Sequence, residues 1–122
     1  MIERYSLADR LTLAAAGVIG IAGVALSAAA AHMPDPRFLA QAGLLCLAHG
    51  PALLAIRGFP VRLGQIAAAL MTLGVVLFTS DMLMREIAGH ALFPRAAPTG
   101  GMTVMAGWLT VIAGAVMPRR SA

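Results

Sequence analysis

The sequence predicts an all-α integral membrane protein, a four-helix antiparallel transmembrane bundle, and three observations carry that prediction. Leu11–Ala31, Phe38–Ile56, Leu63–Ser80 and Ala96–Pro118 contain no Asp, Glu, Lys or Arg. Each approaches the ~20 apolar residues that a helix needs to cross a bilayer. Hydrophobic residues make up 60% of the 122-residue chain and charged residues 11%, against about 25% charged in a typical soluble domain. A chain this short has too little interior to hide so much apolar surface from water. The apolar stretches are rich in Ala, Leu and Gly on all sides, whereas barrel strands alternate apolar and polar residues, so helices are expected. The whole chain reads as a single transmembrane domain, with spans at about 11–31, 38–57, 62–81 and 100–117.

Each element follows from local chemistry. Ser6 with Asp9 three residues on has the form of a helix N-cap, so helix 1 is expected to begin before its apolar run and continue to about Ala31. That run is long for a signal peptide, and a retained helix is expected. The two prolines of His32-Met33-Pro34-Asp35-Pro36 stop a helix and force an extended turn. Helix 2 runs from Arg37 or Phe38 to about Arg57, with a kink expected at Gly50-Pro51. Gly58-Phe59-Pro60 turns into helix 3, which runs from about Val61 to Asp81 or further. The third connection, about Met82 to Thr99, is the long one. Its first half can stay helical, because Asp81 with Arg85 and Glu86 with His90 are i,i+4 pairs. Pro94 and Pro98 are expected to end it, and Thr99-Gly100-Gly101 to open helix 4. Gly17, Gly20 and Gly23 on helix 1, and Gly100, Gly107 and Gly114 on helix 4, are small residues of the kind that let membrane helices pack closely.

The net charge is +4, and all nine basic residues are Arg. They are scattered one or two per loop and not gathered on one face, which excludes a nucleic-acid footprint. Across four spans, Arg4, Arg10, Arg57, Arg62, Arg119 and Arg120 fall on one side and Arg37, Arg85 and Arg95 on the other. The positive-inside rule places the richer side in the cytoplasm. A bacterial inner membrane protein with both termini cytoplasmic is therefore expected, and the Arg-only, Ala-rich composition fits a GC-rich bacterium. Cys46 is the one cysteine, so no intramolecular disulfide can form; a small buried apolar residue is expected there.

Four segments resemble the YgdD-like family of small four-span membrane proteins, a domain of unknown function (number 423). Ala28–His32 is similar to its small-residue run ending in Ala-His, and Gln41–Ala52, with His49, to its second-span His segment. Gly74–Ser80 resembles its Gly-x-x-Leu-Phe-Ser-Gly stretch. Pro98-Thr99-Gly100-Gly101 followed by Gly107-Trp108 resembles its Pro-x-Gly-Gly and Gly-Trp signature, the most specific of the four. Where the family's helix 3 usually continues Ser-Leu-Tyr, this chain reads Asp81-Met82-Leu83-Met84-Arg85-Glu86. The resemblance implies the fold and the membrane location, and no activity.

The candidate functional or packing residues are His32, His49, Asp81, Arg85, Glu86, Gly100, Gly101, Gly107 and Trp108. His49 lies well inside helix 2, and polar groups at that depth are costly. At about 1.5 Å per residue, Thr72 and Thr110 stand at similar depth. A neutral His49 bonded to one of those hydroxyls, or to the carbonyl at position 47 that Pro51 frees, is the structural reading; a proton relay or metal contact is the functional one. His32 and His90 face the outer side with Asp81 and Glu86, but their spacing matches no metal-ligand motif, and interfacial polar residues are expected. A bis-His haem between His32 and His49 is not expected, since their depths differ. Asp81, Arg85 and Glu86 read as a solvated loop or a docking patch. Thr99-Gly100-Gly101 reads as a packing contact or an anion site at a helix N-terminus. Trp108, well inside helix 4, is expected to fill the bundle, and its N–H needs a partner.

No HExxH, GxSxG, paired intramembrane carboxylates or Ser–His–Asp set is present, and neither catalysis nor a cofactor is expected. The expected role is a non-catalytic accessory subunit or an assembly and stability factor of a larger membrane complex. Its partners would be the lipid bilayer and other membrane-protein subunits, with homo-oligomers as a further option. A self-associating transporter or channel for protons or a small solute, using His49, is the alternative.

Overall fold

The protein is described here by a computed structural model covering residues 5–56, 59 and 61–117, for Val61 the backbone alone. Pro118, Arg4, Arg57, Arg119 and Arg120, and most of the Gly58-Phe59-Pro60 turn, lie outside the described residues. The chain forms α1 (Leu7–Ala31), α2 (Arg37–Ala55), α3 (Val61–Ala88) and α4 (Ala96–Val116). All four are long and apolar enough to cross a membrane.

The start of α1 is the expected one. Ser6 Oγ accepts the Asp9 amide at 3.1 Å, and the Asp9 carboxylate accepts the Ser6 amide at 3.3 Å. Each group satisfies an N–H that the first helical turn leaves without a partner. In α2, Pro51 sits inside a helix that continues through it to Ala55.

The sequence left one boundary in this region open and misplaced another. First, α3 takes the longer of its two courses, continuing past Asp81 for two more turns to Ala88 and ending at Gly89, whose φ of +79° suits a residue without a Cβ. Second, α4 begins at Ala96, so Pro98 lies in its first turn instead of closing the loop before it. The first four amides of a helix have no intrahelical acceptor, so a proline there removes no hydrogen bond. The third connection is thereby shortened to residues 89–95, with Arg95 in the left-handed region at φ 67°.

Packing follows the small residues. The most extensive interfaces are α1 on α2 and α3 on α4, with α2 on α3 next, while α1 touches α3 only slightly. The bundle is thus two antiparallel hairpins joined through α2 and α3, and α1 and α4 share no packed interface. In the first hairpin a Cβ on Gly23 would stand 2.8 Å from the Leu47 amide nitrogen. In the second, a Cβ on Gly74 would stand 2.6 Å from the Gly100 carbonyl oxygen, and one on Gly100 would stand 2.8 Å from the Phe78 nitrogen. Backbone-on-backbone approach of this kind is open only to glycine. Gly107 and Gly114 continue the α4 stripe against Met71 and the Phe59 ring, but Gly17 and Gly20 would meet nothing in their own Cβ directions. The core between the hairpins is built from Ala16, Ile19, Cys46, Leu53, Ala67, Met71, Val75 and Val104.

Candidate functional site

His49 on α2 is one of two buried polar or charged side chains among the described residues, 5% exposed. Its Nδ1 lies 2.8 Å from the Leu45 carbonyl one turn back on α2. Its Nε2 lies 3.0 Å from Nε1 of Trp108 on α4. An indole N–H can only donate and a carbonyl can only accept. The geometry therefore assigns a neutral imidazole with its proton on Nδ1: Nδ1–H donates to Leu45, and Nε2 accepts from Trp108. The two rings meet edge to face, with centroids 5.8 Å apart and planes at 69°. Both ring nitrogens are thus committed, in a region where an unpaired polar group would be expensive.

The partners differ from those expected. Thr110 returns its hydroxyl to the Ala106 carbonyl at 3.0 Å, and neither Thr72 nor the carbonyl at 47 holds His49. The depth estimate reached the right turn of α4 and the wrong face of it. Thr110 is two residues beyond Trp108, about 200° around the helix. Nor does Trp108 fill the bundle interior: it is 43% exposed, with its indole N–H directed inward to His49.

A second polar contact joins α2 to α3, Cys46 Sγ to Thr79 Oγ1 at 3.3 Å. Cys46 is therefore a buried hydrogen-bonding thiol as well as a small core residue. Sequence reasoning had no signal for that pairing, since 33 residues separate the two.

Asp81 corrects the solvated-loop reading. It is fully buried. One carboxylate oxygen accepts from Arg85 Nε at 2.8 Å, and the other accepts the Leu92 amide at 2.8 Å. The Arg85 partner is the expected i,i+4 pair; the Leu92 amide was not foreseen. Asp81 pins the third connection onto the end of α3, where the extra helical turns have carried it. The other expected pair does not form. His90 is exposed and bonds the neighbouring Ala91 carbonyl at 2.9 Å, while Glu86 Oε1 is buried with no hydrogen-bond partner among the described residues. His32 is an exposed C-cap of α1. No three His, Cys, Asp or Glu side chains gather as a metal site among the described residues. Thr99 completes the first turn of α4 and Gly100 begins the second, with Gly100 closed against α3 and Gly101 open.

A family model described as "Protein of unknown function (DUF423)" matches residues 26–101, more than half of the chain. The chain belongs to the DUF423 family. No curated protein and no solved structure matches it. The DUF423 match begins late in α1 and ends in the second turn of α4. It contains His49, Asp81 and the Gly74–Gly100 contact, whereas Gly107 and Trp108, the partner of His49, lie beyond it.

Proposed function

We propose that this DUF423 protein is a non-catalytic accessory subunit, or an assembly and stability factor, of a larger complex in a bacterial inner membrane, with both chain ends cytoplasmic. The observation that carries the reading is the open arrangement of the two hairpins. In the apolar window of each span, 39% of residues are buried in α2 and in α3, against 22% in α1 and 17% in α4. The two flanking helices offer long apolar faces on which neighbouring membrane helices can pack. The polar interior supports the same reading. The two nitrogens of His49 are held by a carbonyl and an indole, neither of which relays protons, and a conduction path needs several polar groups in series.

The test is a gentle-detergent pull-down of the tagged chain at native expression, read by mass spectrometry beside an unrelated four-span control. Stoichiometric recovery of one defined set of other membrane subunits supports the accessory role. Recovery of the chain alone, together with flux in liposomes that is lost in His49→Leu, would establish the transporter alternative in its place. Reporter fusions at both ends test the orientation, with cytoplasmic signal expected from each.

A further inference from the structure

A groove of about 380 Å³ opens between α1 and α3, where the two helices barely touch. Its walls are mostly apolar, and three polar side chains enter it: Thr12 from α1, and Gln65 and Thr72 from α3. None of the three makes a side-chain hydrogen bond within the described residues. The α4 threonines behave differently, since Thr99, Thr103 and Thr110 each return their hydroxyl to the carbonyl four residues back. An unpartnered carboxamide facing hydrocarbon is costly, so the groove calls for an occupant with acceptors at the level of Gln65 and Thr12.

Its length and charge say which occupant. From Gln65 to Leu73 the groove follows eight residues of α3, about 12 Å, close to the hydrocarbon depth of one leaflet, which is half of about 30 Å. Because α1 and α3 are parallel within an antiparallel bundle, both start at the same membrane face. Each carries an exposed arginine in its first turn, Arg10 and Arg62, but Arg10 stands two residues before Thr12, about 200° around α1 and away from the groove. Arg62 lies one turn before Gln65 on the same side of α3. Asp9, the acid described at this end, is turned back onto the Ser6 amide.

We propose that this groove binds one anionic phospholipid of the leaflet at which α1 and α3 begin. An acyl chain lies along Leu11, Ala15, Ala69 and Leu73. Gln65 and Thr12 donate to the ester carbonyls, and the phosphate meets Arg62. Basic pockets between membrane helices are suited to anionic headgroups, at about fivefold in affinity for each arginine near the surface.

The experiment is native mass spectrometry of the full chain, released from detergent with phosphatidylglycerol or phosphatidylcholine of the same acyl chains. Wild type is expected to retain one phosphatidylglycerol in preference to phosphatidylcholine. In Arg62→Gln that preference should fall to about onefold while an acyl-chain adduct persists. Ala69→Phe, an exposed position that fills the groove without touching the core, should lose both adducts while keeping its helical circular dichroism. Equal retention of the two lipids by wild type, or unchanged retention in Ala69→Phe, overturns the proposal. So does a dimer that Ala69→Phe abolishes, because the groove would then seat a second copy.

Discussion

The indole N–H of Trp108 on α4 donates to Nε2 of His49 on α2 across 3.0 Å, reaching past the α2–α3 interface that otherwise joins the two hairpins. Trp108→Phe removes the donor and strands Nε2; His49→Leu removes the acceptor. Interhelical hydrogen bonds in membranes contribute about 0.6 kcal/mol on average and up to about 1.7. A double-mutant cycle in reversible detergent unfolding should return a coupling in that range. Additive effects of the two substitutions would mean that the contact contributes nothing to stability.

Gly100 and Gly101 are adjacent and predict opposite outcomes. A methyl at Gly100 would stand 2.8 Å from the Phe78 nitrogen and 2.9 Å from the Gly74 carbonyl, so α3 and α4 must move apart to admit it. Gly100→Ala should destabilise by about 1–3 kcal/mol, the usual cost of overpacking. A methyl at Gly101 meets nothing within 4 Å. Gly101→Ala should be neutral, or stabilising by up to about 1 kcal/mol from helix propensity. Parallel unfolding of the two single variants checks both.

Asp81 holds the 89–95 connection through the Leu92 amide. Asp81→Asn keeps an acceptor for that amide and loses the ion pair with the part-exposed Arg85. Asp81→Ala loses both and leaves the part-buried Leu92 amide without its acceptor, at a cost of about 1 kcal/mol. Amide exchange at Leu92 should accelerate strongly in Asp81→Ala and only slightly in Asp81→Asn. Equal exchange in the two variants would assign the hold to Arg85 instead.

Cys46 is 1% exposed, with its thiol against Thr79. A membrane-permeant maleimide should leave the folded chain unmodified and label it fully after denaturation. Labelling at equal rates in both states would show that α2 and α3 separate in the native protein.

How much of this was legible beforehand differs from residue to residue. Ser6 and Asp9 were readable because a cap is written within four residues. The Gly100, Gly107, Gly114 stripe was readable because residues seven apart share a helix face. Pro98 misled because a proline before an apolar run ends one helix and begins another with the same chemistry, and only the position of the preceding turn separates the two. Asp81 misled for a related reason. Its charge fits a solvated loop when its neighbours are known along the chain alone, yet two further turns of helix bring the Leu92 amide to its carboxylate.

The sequence by itself determined the environment, the four helices, their antiparallel order and the family. The first three follow from runs of apolar side chains and from short connections, and the family from the resemblance of four short motifs; all are local quantities. Only the tertiary structure decided who partners whom, Trp108 with His49, Thr79 with Cys46 and Leu92 with Asp81, and that a gap is left between α1 and α3. Those choices depend on the rotation of each helix about its own axis. That rotation is set by where opposing backbones can approach, at Gly23, Gly74 and Gly100. An apolar helix in lipid has no solvent-facing side to reveal its orientation in advance.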